Sequence, residues 1–283
     1  MKIAILSGKG GTGKTTVTSN FAINIENSIA IDSDVEEPNL HLFLGGQKTD
    51  TESVFTSYPT IDKDLCTNCG KCGDFCNYNA IIPAKNQVIV FKESCHDCGG
   101  CKLVCPTGAI TYEKREIGKI IKDKTSFGGD LFYGILDIGE MSGVKIINNL
   151  TEISNSYSSN KTVFIDSPPG TSCSTVAAVE EVDYAIIVSE PTPFGVSDMK
   201  MVVDMLQEMK IPFGIIINKA GLGDNEIYEY CKDKKVEILG EIPFDKEIAK
   251  LYADGKIFSS SLPKYQKLFK DIYKKIVDRR RAL

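Results

Sequence analysis

Eight residues near the N-terminus, Gly8-Lys9-Gly10-Gly11-Thr12-Gly13-Lys14-Thr15, fill the pattern of a phosphate-binding loop. An apolar run at residues 3–6 precedes them and reads as a short buried strand. A helical pattern at residues 14–26 follows. Only such a strand-to-helix junction lets the loop work. Its glycines turn backbone N–H groups toward an anion, and the helix N-terminus adds partial positive charge. The N-terminal segment is thereby committed to the first strand and helix of an α/β layer.

The rest of the chain keeps that alternation. Strands are expected at residues 28–31, 131–138, 162–165, 185–188, 213–217 and 236–239. Helices are expected at 144–153, 196–209, 224–232, 245–253 and 263–281. Strands alternating with helices imply a mostly parallel sheet covered on both faces. The stretch from 60 to 113 breaks the pattern and holds eight of the ten cysteines. It therefore reads as an insertion. The expected units are 1–59 and 114–283, two parts of one nucleotide-binding domain, and 60–113, a small inserted α+β domain.

Bulk properties narrow the function. The net charge is −5, which argues against a broad nucleic-acid footprint. No run of 18 apolar residues is present, so no membrane span is expected. The apolar run near Met1 ends after four residues, too short for a secretory leader. A cytoplasmic chain is expected, and its ten cysteines then point to metal rather than disulfides.

Lys14 is placed to reach the β- and γ-phosphates of ATP or ADP, and the Thr15 hydroxyl to bind Mg²⁺. Gly8, Gly10, Gly11, Thr12, Gly13 and Thr16 complete the loop. With Lys9 included, the segment resembles the deviant loop of the MinD/ParA/Mrp and nitrogenase iron protein group. That resemblance implies an ATPase whose Lys9 crosses an ATP-dependent homodimer interface to the partner's nucleotide. Asp34, in Asp32-Ser33-Asp34, matches the group's acid that orients the attacking water or contacts the lysine from the partner, with Asp32 the neighbouring candidate. Residues 163–171, Val-Phe-Ile-Asp-Ser-Pro-Pro-Gly-Thr, resemble the group's second nucleotide motif. Asp166 there would hold Mg²⁺ through water, and the Gly170 N–H would sense the γ-phosphate. Asn218 matches a base-reading asparagine, and Pro243 belongs to a loop that closes over the base.

The cysteines repeat one spacing. Cys66, Cys69 and Cys72 are followed by Cys76, and Cys95, Cys98 and Cys101 by Cys105. Two such runs resemble the bacterial-type ferredoxin with two [4Fe–4S] clusters. Three thiolates of one run wrap one cluster, and the fourth cysteine serves the other. Cys66, Cys69, Cys72 and Cys105 therefore form one expected ligand set, and Cys95, Cys98, Cys101 and Cys76 the second. Zinc is the rival metal, but zinc sites do not usually repeat this spacing. Asn77 stands where a proline is usual after the first run.

Cys173 lies seven residues after Asp166, the offset of a cluster-bridging cysteine in the nitrogenase iron protein, and is a possible interface thiol. The segment resembling that protein's other cysteine site, residues 137–144, has none. The C-terminal cysteine pair of the Mrp-type carriers is also missing. Cys231, His41 and His96 read as structural or surface residues, and the last helix as packing on the core.

The leading expectation is an ATPase that couples nucleotide-driven dimer closure to electron transfer to a redox partner. The alternative is an assembly or carrier ATPase that hands a metal cluster to an acceptor protein. A positioning protein of the ParA/MinD kind is the third reading. No nucleic-acid or membrane partner is expected.

Overall fold

The computed structural model describes residues 1–85 and 87–282. In chain order the elements begin β1 (Lys2–Leu6), α1 (Lys14–Asn24), β2 (Ser28–Asp32), α2 (Leu40–Leu44) and β3 (Gln47–Ile61). The cysteine segment holds α3 (Lys71–Phe75), β4 (Ile81–Ala84), β5 (Gln87–Val90) and α4 (Gly100–Leu103). Then come β6 (Ile110–Lys124), β7 (Asp130–Leu136), α5 (Val144–Ser158), β8 (Thr162–Asp166), α6 (Cys173–Val179) and β9 (Tyr184–Ser189). The chain ends with α7 (Pro193–Glu208), β10 (Phe213–Ala220), α8 (Glu226–Lys234), β11 (Ile238–Pro243), α9 (Lys246–Ala253), α10 (Phe258–Ser261) and α11 (Pro263–Ala282).

One sheet of nine strands runs in the order β11-β10-β9-β1-β8-β2-β7-β6-β3. All pairings from β11 to β7 are parallel. Helices cover both faces, because each central strand is apolar on both sides and must be buried on both. On one face α5, α7 and α8 bury Ile146, Leu150, Val202, Leu206 and Ile227. On the other, α1 and α11 bury Val17, Phe21, Phe269, Ile272 and Ile276 against Ile3, Ile5 and Phe164. Phe21 sits at the centre of that face, stacked on Phe164 at 5.2 Å and edge-on to Phe269 at 4.9 Å. The last helix thus packs its apolar stripe on the core, as its sequence pattern suggests.

Register brings the strand ends to one edge. Ile5 pairs with Asp166 and Asp32 pairs with Asp166, so the segments after β1, β2 and β8 emerge side by side. The carboxyl edge of a parallel sheet is where such folds bind ligands.

Two long strands, β3 and β6, are absent from the sequence reading. They pair antiparallel over nearly their whole length, and β6 pairs antiparallel with β7. Residues 60 and 113 lie inside these continuous strands. The cysteine segment is carried at the far end of the β3–β6 ribbon. It is fastened by Asp97, whose carboxylate accepts the Ser57 N–H at 3.0 Å, and by a 3.7 Å contact of Ser94 Oγ with Met141 Sδ.

Candidate functional site

A cavity of about 360 Å³ opens at the carboxyl edge of the sheet. Gly10, Gly11, Gly13, Lys14, Thr15 and Thr16 form one wall, Asp34 and Pro169 another, and Asn218, Pro243 and Phe244 a third. The glycine-rich loop leaves β1 and closes into α1. Gly13 adopts φ +99, and a side chain there would meet Asn218 Nδ2 at 2.4 Å, so only glycine fits. Asn218 Nδ2 donates to the Thr12 carbonyl at 2.7 Å, and Asn218 Oδ1 accepts the Lys219 N–H at 3.0 Å. One end of this amide thus clamps the loop and the other binds the backbone of the next residue, while Asn218 also lines the cavity.

The acids on the edge separate into distinct settings. Asp166 is buried, accepting the Thr15 hydroxyl at 2.7 Å and the Thr18 hydroxyl at 3.1 Å. Burial pushes its pKa up to about 6, opposed by the nearby Lys14 ammonium. Asp32 is fully buried and accepts the N–H groups of Asp34, Asn39 and Leu40, so it shapes the turn after β2. Burial, followed by repulsion from Asp166, raises its pKa well above the ordinary carboxylate range. Asp34 is half-buried and faces the cavity, its pKa raised mainly by burial and opposed by Lys14. The Gly170 N–H donates to the Ser7 carbonyl at 2.9 Å instead of entering the cavity.

These residues fit a nucleotide with Mg²⁺. Lys14 is 93% shielded yet lines the cavity, and the Thr12 hydroxyl is buried with no partner. Gly10 and Gly11 have open space where a Cβ would stand, which lets a phosphate approach the backbone. Thr15 and Asp166, an oxygen donor pair suited to Mg²⁺, already touch.

Sequence inspection missed Thr18 and Glu190. Glu190 follows β9 on the same edge and lies 3.4 Å from Lys9 Nζ and 2.9 Å from Lys219 Nζ. An acid directly after a buried strand was the available signal, as for Asp34.

The cysteines fall into two groups of four. One hollow is lined by Cys66, Cys69, Cys72 and Cys105. A second, of about 230 Å³, is lined by Cys76, Cys95, Cys98 and Cys101. Each takes three thiols from one run and the fourth from the other. Among the described residues, no three His, Cys, Asp or Glu side chains converge tightly enough for a single metal ion. Each thiol quartet instead surrounds a space, a donor set that suits a polynuclear iron–sulfur cluster. Cys101 Sγ lies 3.0 Å from the Tyr112 hydroxyl. The segment's own core is small: Ile81, Cys101 and Ile110 are its buried members.

Cys173 is exposed at the start of α6. Cys231 is buried in α8, its pKa pushed up to about 11 by that burial. His41 stacks on Tyr133 at 4.9 Å and His96 on Tyr78 at 3.7 Å. A larger cavity, about 770 Å³, lies at the opposite edge of the sheet beside Tyr184, Lys210 and Arg279. It contains none of the candidate residues, so size does not identify the site here. Among the described residues, no helix is long and apolar enough to cross a membrane.

A parallel sheet with a glycine-rich loop, a lysine and paired acids on its carboxyl edge defines a P-loop nucleotide-binding protein. The chain matches the CobQ/CobB/MinD/ParA nucleotide binding domain over residues 3–258 and belongs to that family. It is 36% identical over 280 residues to an uncharacterized protein of Methanocaldococcus jannaschii, covering 98% of this chain and 96% of that one. An iron–sulfur cluster carrier protein of the same organism is 26% identical over 303 residues, covering 98% of this chain and 84% of that protein. Among solved structures, the cell division ATPase MinD of Pyrococcus furiosus superposes with a TM-score of 0.59 at 22% identity. That match covers 96% of this chain and 98% of that one. MinD complexed with Mg-ADP from Pyrococcus horikoshii gives 0.58 at 20% identity, covering 97% and 95%. The likeness to these structures is one of fold.

Proposed function

We propose that this chain is an ATP-hydrolysing, dimer-forming iron–sulfur protein that carries or assembles a metal cluster for delivery to an acceptor protein. The observation that carries the reading is the division of the cysteines, three plus one and three plus one, around two hollows in a chain with a nucleotide site. The relatives named iron–sulfur cluster carrier proteins favour delivery of a cluster over the electron delivery that leads the sequence expectations.

Each side chain then has a role. Lys14 neutralises the β- and γ-phosphates. Thr15 and Asp166 would hold Mg²⁺, with Thr18 fixing the Asp166 carboxylate. Asp34, on the turn after β2, orients the attacking water. Asn218 holds the loop in shape through Thr12. Lys9 reaches the nucleotide of a second copy. Residues 60–113 act as a ferredoxin-like unit whose two cysteine quartets hold one [4Fe–4S] cluster each. Bound there, the clusters supply one-electron chemistry. Cys173, exposed directly after the Asp166 segment, is the thiol for the cargo cluster.

Anaerobic purification followed by iron and sulfide analysis tests the holding role. About eight irons per chain are expected, and a chain with none overturns the reading. Delivery is tested with an apo-ferredoxin as acceptor. Cys173→Ala should abolish ATP-stimulated transfer while ATP hydrolysis persists. Unchanged transfer removes Cys173 from the route.

Electron delivery remains a second reading, because the quartet of Cys76, Cys95, Cys98 and Cys101 adjoins the nucleotide domain. Cys95 Sγ is 3.8 Å from the Ser57 carbonyl of β3. Partner reduction that depends on ATP but not on Cys173 would favour it.

A further inference from the structure

We propose that Glu190 is a latch for Lys9. It holds this lysine within its own chain and releases it when a nucleotide-bound second copy arrives. The inference deepens the dimer reading above and rests on it.

Glu190 lies between two ammonium groups. Its Oε1 is 3.4 Å from Lys9 Nζ and its Oε2 2.9 Å from Lys219 Nζ. The carboxylate side chain is only 12% exposed, while Lys9 and Lys219 are 36% and 37% exposed. A largely buried acid thus meets two lysines, one from the phosphate loop and one from the end of β10.

The two lysines differ in freedom. Lys219 is built in: it adopts φ +55, and its N–H is bound to Asn218 Oδ1, with Asn218 in turn clamping Thr12. A non-glycine residue holds that backbone conformation only when its surroundings enforce it. Lys9 is anchored by its backbone alone, through the Ser7 hydroxyl donating to the Lys9 carbonyl at 2.6 Å. The glycines on its C-terminal side, Gly10 and Gly11, have nothing within 4 Å of a Cβ position. On its N-terminal side Gly8 abuts Asp198 of α7, where an added Cβ would come within 2.4 Å. The loop backbone is therefore seated against α7 while the Lys9 side chain can swing.

This arrangement makes release reversible. Removing one partner of a buried ion pair is expensive when it strands the other charge. Here Glu190 keeps Lys219 when Lys9 leaves, so no buried charge is left alone. What Lys9 gives up is then a partly exposed pair, the kind worth on the order of 1 kcal/mol or less. A phosphate on a facing copy can outbid such a contact, and a chain without that phosphate keeps it. The latch biases the isolated chain against premature pairing.

The test is the dimerisation constant, measured anaerobically by sedimentation velocity with Mg²⁺ and a non-hydrolysable ATP analogue. Glu190→Gln should tighten the dimer about threefold to tenfold. Lys219→Met should weaken it, because Glu190 then serves Lys9 alone. In Lys9→Ala the dimer should be lost, and Glu190→Gln added to that variant should change nothing. A Glu190→Gln dimer that is weaker or unchanged overturns the latch. Should that variant not fold, as judged by circular dichroism, a Lys219→Met dimer as tight as wild type overturns it equally. If Lys9→Ala dimerises like wild type, the reading of Lys9 as the lysine that crosses to a second copy fails and the latch goes with it. Loss in Lys9→Ala with no response to Glu190→Gln sinks the latch alone.

Discussion

The nucleotide edge and the cysteine segment are held together in opposite ways. At the nucleotide edge the site is a by-product of a deep apolar core. Strands β1, β8 and β2 are buried along most of their length, and their ends deliver Lys14, Asp34 and Asp166 to one place. Most of the acid contacts there are made without a ligand, as the pairing of Thr15 and Thr18 with Asp166 shows, and the Thr12 hydroxyl is left over for one. The cysteine segment has short elements, no buried residue in α3, and exposed Leu65, Phe75, Tyr78 and Leu103. So small an apolar centre cannot offset the conformational entropy of ordering the segment. In the function proposed above, metal–thiolate bonds supply the remainder, since metal binding of this kind is folding free energy. On that proposal, one region is built first and binds later, whereas the other folds around what it binds.

That contrast can be broken or sharpened in four ways, in decreasing order of effect. Stripping iron with a chelator under reducing conditions should abolish hydrogen-exchange protection across residues 62–109. The parallel sheet should keep its protection and its nucleotide affinity. Loss of both together would show a single cooperative unit. Phe21→Ala removes the ring wedged between Phe164 and Phe269 and should cost about 3–5 kcal/mol in urea unfolding of the sheet domain. Iron content, measured below the unfolding transition, should be unaffected.

Asp166→Asn should act with opposite signs on stability and activity. The folded pKa, about 6, lies above the ordinary 3.8, so the native chain keeps a proton that the unfolded chain has lost. Stability of the ligand-free protein should therefore fall as pH rises from about 4 to about 6. The asparagine variant should remove much of that slope and gain on the order of 1–2 kcal/mol at pH 7. Its Mg-ATP turnover should drop sharply. Thermal unfolding across pH, with and without Mg-ATP, reads both effects. The smallest effect belongs to Tyr112→Phe, which deletes the hydroxyl beside Cys101 Sγ. Hydrogen bonds to cluster sulfurs raise reduction potential, so one cluster should become harder to reduce in an EPR-monitored titration while iron content stays the same.

The two regions also differed in how openly their residues announced them. The phosphate loop and the cysteine runs were legible because their chemistry is local: eight consecutive residues in one case, fixed short spacings in the other. The pairing of Cys105 with the first run was expected only from the resemblance to two-cluster ferredoxins. The β3–β6 ribbon was not legible. The first stretch of β3, Gln47 to Glu52, is polar and exposed, so it shows no buried face to read. Asn218 illustrates a subtler gap: its place at a strand end was visible, but its grip on Thr12 depends on β10 and the loop after β1 ending at the same edge of the sheet, across the intervening β9.

By itself, then, the order of residues determined the class of fold, the phosphate-loop motif and the eight thiols in two evenly spaced runs. Those follow from short-range spacing and from apolar periodicity, which any chain conformation must respect. Tertiary structure alone decided that Asp32 would serve backbone amides while Asp34 faced the cavity. It also decided that Glu190 would stand between Lys9 and Lys219. The reason is distance along the chain: strand order and register, set by the burial of the whole sheet, bring together groups that no local pattern connects.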